Sequence, residues 1–385
     1  MKALATIKPV PGKKGVWEIR FDTEDPATGK RRQHRRHFTG TKPEAKEYLV
    51  KIESDILKGE YNVDMEQATV REYLEKWLKE YGKPNLAYRT YESYSGTIRN
   101  HILPSIGGMK LTALKPAHIQ SYYSKMAANK EDGGAGLSGT SVLYHHRILR
   151  EALSHAVNMG YIPYNPADRV QPPRKNKPEI KTLTVEQGQY ILTKYRDHMI
   201  YLCILIALKT GMRLGEICGL RWQNVGLETG TISVTHALQR QNSILTLKEP
   251  KTKKSRRCIP IPSSLVAGLK EIRHRQKQDK LSFGKGYDTR GFVCAWEDGR
   301  PFDPKYVSKA WAKIVRDDNN IPDSVRFHDL RHTHATILLS QDVNIKIIQE
   351  RLGHESITTT GDIYSHVTPA MQQKAVNILE QVFAQ

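Results

Sequence analysis

The chain has 385 residues and carries 60 Lys+Arg against 40 Asp+Glu, a formal charge of +20 with a pI near 9.6. This length suggests two or three domains of roughly 100–200 residues each. A hydrophobic content of 38% with 26% charged residues excludes a disordered or fibrous chain. No window approaches ~18 uninterrupted apolar residues, which excludes a membrane-spanning helix. The opening MKALATIKPVPGKK has lysines and prolines where an export signal needs an apolar run, so a cytoplasmic location is expected. Cys203, Cys218, Cys258 and Cys294 form no CxxC pair, which argues against a disulfide scaffold or a cysteine zinc knuckle. The surplus of positive charge calls for a polyanionic partner, nucleic acid first.

Residues 1–62 read as a small module. Val16–Phe21 alternates like a strand, Asp25–Lys30 is a turn, Arg31–Phe38 is a second strand, and Pro43–Leu57 has helical periodicity. The second strand carries Arg31, Arg32, Arg35 and Arg36. A solvated edge strand protected by charge would account for some of them, but four are more than edge protection requires, and a sheet laid against DNA fits better.

Residues 67–170 read as all helix. Val70, Tyr73, Leu74, Trp77, Leu78 and Tyr81 share one helical face. In the next helix Tyr88, Tyr91, Tyr94 and Ile98 share a face beside Arg89 and Arg99, and the helix is expected to stop near Pro104. The tyrosine stripe suits core packing better than base stacking. Helices at Pro116–Lys130 and Thr140–Met159 follow, separated by Asp132–Gly136. Residues 171–180, with Arg174, Lys175 and Lys177 among prolines, read as a linker. Residues 181–385 read as helices around a β-patch, with strands expected at Thr231–Ala237, Ser243–Leu247 and Cys258–Ile261.

Four motifs in this last segment belong together. In Thr210–Trp222, Gly211 ends one helix and Arg213 starts the next, three residues before Glu216. Alone, such a pair is usually a helix-surface ion pair. Glu249–Ile261 is a basic hairpin tip with Lys251, Lys253 and Lys254, which a solvated turn would also explain. His328-Asp329-Leu330-Arg331-His332 places His328 and Arg331 on one helical face. Its rival is zinc on the i, i+4 pair His328 and His332, but position 329 is aspartate and no third ligand stands at a standard spacing. In Leu352–Val367, Gly353 caps a helix, His354 follows, and Tyr364 comes ten residues later. Two arginines, a lysine, two histidines and a tyrosine suit phosphoryl transfer without metal. Guanidinium groups clamp the non-bridging oxygens, a lysine or histidine protonates the leaving oxygen, and a phenol of pKa about 10 needs a positive pocket and a proton acceptor.

These four motifs in this order resemble the tyrosine recombinase (phage-type integrase) family, over essentially the whole chain. The resemblance implies a multidomain, mainly α protein with small β-sheets. An N-terminal sheet-plus-helix arm-binding module (1–62) precedes a helical, SAM-like core-binding domain (67–170), a linker (171–180) and a mixed α/β catalytic domain (181–385). It implies Arg213 and Arg331 as the phosphate clamp, Lys251 as general acid, and His328 as proton-transfer partner of the nucleophile. It further implies His354 as a donor to the phosphate, Tyr364 as the nucleophile of a 3′-phosphotyrosyl link, and Glu216 as a supporting residue. Lys251 is preferred over Lys253 and Lys254 because it precedes the threonine of the family's lysine-threonine signature.

The function implied is site-specific integration and excision of a mobile element's DNA through a Holliday junction. No ATP, metal or other cofactor is expected. The partners implied are double-stranded DNA at core and arm sites, three further copies of the chain, an excisionase and DNA-bending proteins, with no membrane. The C-terminal apolar face of Met371, Ala375, Ile378, Leu379 and Val382 would pack in cis or dock on a neighbouring protomer. The rivals are a type IB topoisomerase-like strand transferase, a non-catalytic DNA-binding regulator and a metal-dependent nuclease.

Overall fold

The computed structural model describes residues 5–24, 31–57, 67–174, 181–241, 244–249 and 256–354, with Val376, Glu380 and Phe383 in helical conformation. The chain divides into two compact units, Met1–Lys177 and Pro178–Gln385.

The first unit opens with an antiparallel sheet of β1 (Thr6–Pro9), β2 (Val16–Glu24) and β3 (Arg31–Thr39), followed by α1 (Lys42–Leu57). Only β2 and β3 were expected. β1 hides behind its prolines, and Pro9 is tolerated because the strand lies at the edge. Alternation along β2 puts Ile19 and Phe21 on the inner face, where they are buried with Ile52 of α1. The Glu44 carboxylate accepts the Thr41 N–H (2.7 Å) and caps α1.

The arginines of β3 do not share one face. Arg31 and Arg35 stand exposed on the outer face with Gln33 and His37, and Arg31 pairs with Asp22. His34 is buried on the inner face, and the guanidinium of Arg36 lies 6.0 Å from the centre of the Phe21 ring. Arg32 is in register with Thr23.

The helical part of this unit begins with α2 (Val70–Trp77). Thr69 and Glu72 cap it reciprocally, each accepting the other's backbone N–H. A π-turn at Leu78–Gly82 extends it. After α3 (Tyr88–Thr97), a second π-turn (Ile98–Ile102) leads into a helical turn, Leu103–Ile106. The stop expected near Pro104 falls two residues later, after Ile106. Pro104 falls in the first turn of that last segment, where a missing N–H costs nothing, and the run ends at Gly107.

Next come α4 (Pro116–Ala127) and α5 (Gly139–Asn158), the latter capped by Ser138. Tyr91 and Tyr94 pack against the helical core, as their spacing suggests, while Arg89 and Arg99 stay exposed. Asn165 ties the end of this part to α5: its Nδ2 donates to the Arg150 carbonyl (3.0 Å) and to Ser154 Oγ (2.9 Å).

The second unit runs through α6 (Val185–Lys194), α7 (Tyr201–Thr210) and α8 (Leu214–Cys218). The strands β4 (Val225–Gly226), β5 (Thr231–Val234), β6 (Ala237–Gln241), β7 (Ile244–Lys248) and β8 (Arg257–Pro260) follow. It continues with α9 (Ser263–Phe283), α10 (Pro304–Asp317), α11 (Asp329–Ser340) and α12 (Ile345–Leu352).

Two strand expectations are corrected. Thr231–Ala237 is not one strand, because the chain leaves β5 at Thr235 and begins β6 at Ala237. The strands flanking the Lys251 segment are not each other's partners: β8 pairs with β5 in a sheet of order β4-β5-β8, and β7 pairs with β6. The fixed centre is α7, which buries Leu202, Ile204, Leu205 and Ile206, each contributing about 1.5–3 kcal/mol. Its C-terminus is thereby a rigid base for the turn at Gly211.

Candidate active site

Gly211 closes α7 in the left-handed conformation (φ +67°), and a Cβ there would lie 2.6 Å from Leu352 Cδ2 and 2.7 Å from His334 Cδ2. Arg213 then occupies the N-cap of α8 in extended conformation. Its N–H donates to Glu216 Oε2 (2.9 Å), its Nη1 to Glu216 Oε1 (3.0 Å) and its Nη2 to the Gly353 carbonyl (3.3 Å). Glu216 is buried, not the exposed member of a helix-surface pair. The same carboxylate accepts from Arg257, Nη2 to Oε2 at 2.8 Å and Nη1 to Oε1 at 3.2 Å. Burial would raise the Glu216 carboxyl, but the fork from Arg257 and the charge of Arg213 outweigh it and hold it below the ordinary range.

Asp329 is also buried, and its carboxylate accepts the N–H, Nε and Nη2 of Arg326, fixing the turn that starts α11. Arg331, in the first turn, points inward and is 2% exposed. Its Nη1 donates to the Gly211 carbonyl and its Nη2 to the Leu352 carbonyl, both at 2.7 Å. The two arginines expected to act together therefore meet at the end of α12, although they come from helices far apart in sequence.

His328 precedes α11 with an exposed ring, its centre 5.0 Å from that of His332. Surrounding protein, then the charges of His332, Arg331 and Arg213, push its pKa down to about 4. Gly353 ends α12 at φ +67°, and His354 follows with its N–H on the Gln349 carbonyl (3.1 Å). Burial, then the fields of Arg331 and Arg213, push His354 down to about 3. Both rings are neutral near pH 7. An apolar cavity of about 610 Å³, lined by Leu214, Trp311, Ala312, Val315 and Phe327, opens beside His328. Among the described residues no three His, Cys, Asp or Glu side chains are grouped to hold a metal ion.

Lys251, Lys253, Lys254 and Tyr364 lie outside the described residues, as do Lys175, Lys177 and the apolar positions of the C-terminal helix. Arg174 is exposed. Two groups at the site were not singled out in the motifs, Arg257 and the pair His334–Arg351. Arg257 had a signal: the alternation Arg257, Ile259, Ile261 puts it on the inward face of its strand.

Two family models match the chain, the phage integrase family over residues 181–371 and the phage integrase N-terminal SAM-like domain over residues 69–127. A tyrosine recombinase XerC-like protein of Caldanaerobacter subterraneus subsp. tengcongensis is 32% identical, over 91% of this chain and 92% of the relative. The chain belongs to the phage integrase family of tyrosine recombinases. With the family comes its activity, the breakage and rejoining of DNA at specific sites.

Two solved structures have the same fold. The integrase of transposon Tn1549, in complex with a circular intermediate DNA, aligns at TM-score 0.67 with 23% identity, covering 81% of this chain and 99% of the other. A lambda integrase tetramer bound to a Holliday junction aligns at TM-score 0.58 with 16% identity, covering 92% and 96%. No helix among the described residues is long and apolar enough to cross a membrane.

Proposed function

We propose that this recombinase is the integrase of a mobile genetic element and that Arg213, Lys251, His328, Arg331, His354 and Tyr364 carry its chemistry. The observation behind the reading is the convergence of Arg213 and Arg331 on the end of α12, beside two neutral histidines.

Cleavage begins when the Tyr364 oxygen attacks the scissile phosphorus. The Tyr364 O–P bond forms and the P–O5′ bond breaks, leaving a 3′-phosphotyrosyl link and a 5′-hydroxyl. His328, neutral at pH 7, accepts the phenol proton, and Lys251 donates one to the departing 5′ oxygen. Arg213 and Arg331 neutralise the charge on the non-bridging oxygens, and His354 adds a hydrogen bond. Glu216 orients Arg213 without touching the phosphate. Because the covalent link conserves the phosphodiester's energy, the 5′-hydroxyl of another strand can reverse the step.

Two rounds of this exchange on paired sites call for four protomers on a four-way junction, the assembly in which lambda integrase was solved. We assign residues 1–62 to arm-type sites, with the exposed Arg31 and Arg35 of β3 making the contacts. Residues 67–170, with Arg89 and Arg99, are assigned to the core site, with phosphate contacts from Arg174, Lys175, Lys177, Lys253 and Lys254. An excisionase and DNA-bending proteins complete the assembly, which works in the cytoplasm.

To test this reading, the protein is incubated with a nicked duplex bearing the joined ends of its element, so that the cleaved fragment diffuses away. A DNA adduct stable to SDS should accumulate, and Tyr364→Phe should form none. An adduct formed by Tyr364→Phe would overturn the assignment.

A further inference from the structure

Three consecutive carbonyls at the end of α12 each receive an arginine. Arg257 Nε donates to the Arg351 carbonyl (2.8 Å), Arg331 Nη2 to that of Leu352 (2.7 Å) and Arg213 Nη2 to that of Gly353 (3.3 Å). The last carbonyls of a helix lack intrahelical donors and carry the negative end of its dipole, so cations are favoured there. Two of these arginines are assigned above to the scissile phosphate. The third has a different partner: both terminal nitrogens of Arg257 are taken by the buried Glu216 carboxylate, the two side chains being 6% and 5% exposed.

From these contacts we infer that Arg257 is a positioning residue for strand cleavage. It grips the Glu216 carboxylate with both terminal nitrogens and the end of α12 with Nε, in the planar fork that only arginine supplies. Glu216 in turn holds the backbone and Nη1 of Arg213. Arg213 is the exposed member of this chain of contacts, its side chain 38% accessible and its bond to Gly353 the longest of the three. It can turn to an arriving phosphate while Arg257 keeps the buried carboxylate neutralised. Gly353 belongs to the same device. A Cβ there would lie 3.0 Å from Arg257 Cδ and 3.1 Å from its Nη1, so the guanidinium packs directly on the backbone that leads to His354. Arg257 also opens β8.

The inference rests on Arg213 being part of the phosphate clamp, and its test separates the two. Single-turnover cleavage of the nicked duplex is measured for Arg257→Met, Arg257→Lys, Arg213→Ala and the double variant Arg213→Ala/Arg257→Met. The duplexes carry a normal scissile phosphate or an uncharged methylphosphonate.

A mis-set clamp should slow Arg257→Met by roughly 10²-fold on the charged substrate, with Arg257→Lys intermediate. On methylphosphonate, where there is less charge to neutralise, the deficit should shrink to about threefold or less. The double variant should cleave no more slowly than Arg213→Ala, since the two residues act as one unit. If Arg257→Met does not fold, Arg257→Lys carries the same comparison. Equal losses on both substrates, multiplying losses in the double variant, or parental rates in both Arg257 variants would overturn the inference. Parental cleavage by Arg213→Ala would instead overturn the clamp reading itself.

Discussion

His328 stands at the N-cap of α11 and His334 within it, and their surroundings give them different work. His334 Nδ1 faces the Leu208 carbonyl (2.8 Å) and its Nε2 accepts from Arg351 Nε (3.1 Å), so the neutral ring donates from Nδ1 and is fully used in packing. Burial first, then the charge of Arg351, push it down to about 4. In an unfolded chain the same ring would take a proton near pH 6.5. The unfolded state therefore binds more protons between about pH 6.5 and 4, and stability rises with pH across that window. The His334 contribution is complete above about pH 6.5 and is lost as the pH falls toward 4. Denaturant unfolding at a series of pH values should show this loss. In His334→Gln the slope should be shallower by up to about 1.4 kcal/mol per pH unit. An unchanged slope would mean that His334 takes up its proton as readily in the folded protein as in the unfolded chain. His328 is also held neutral, but its exposed ring leaves it available to a reacting phenol. The resemblance of the four motifs to the recombinase family put Arg213, His328, Arg331 and His354 in one group. It could not show that Glu216 would be buried, because an i, i+3 pair on a short helix reads as surface until a third residue, Arg257, is known to cover it.

At the scale of elements, helices with local signals were legible. The shared face of Val70, Tyr73, Leu74 and Trp77 is the buried face of α2, and Gly211 and Gly353 end their helices in the left-handed conformation. Pairings that depend on distant partners were not legible. β7 and β8 flank one basic segment yet pair with different strands, and β1 carries too few apolar residues to announce itself. The N-terminal sheet and α1 enclose a core of their own around Ile19, Phe21 and Ile52, and the helices after residue 67 enclose another. Each can then serve a separate stretch of DNA. Removing residues 1–62 should leave cleavage of a nicked core duplex within about threefold of the full chain. Recombination on substrates with arm sites should fall by roughly 10²-fold, as expected when one of two linked binding modules is lost. Equal recombination by both proteins would remove the arm-site role. The outward side chains Arg31 and Arg35, not the inward Arg36, are the ones placed to make such contacts.

Across the whole molecule the charge of +20 divides by purpose. Arg257 is buried and holds the site together, Arg213 and Arg331 are the pair assigned to the scissile phosphate, and Arg89, Arg99, Arg31 and Arg35 remain on the surface, where phosphate contacts would be made without regard to sequence. Such contacts would keep the protein on DNA, whereas the proposed chemistry depends on one phenol. The central claim is that Tyr364 becomes covalently joined to the 3′ end of the cleaved strand. The most direct measurement is to digest the SDS-stable adduct with protease and nuclease and to locate the nucleotide-bearing residue by mass spectrometry. The account predicts a single nucleotide 3′-phosphate on Tyr364. The same modification on any other side chain, or a 5′-linked nucleotide, would contradict it.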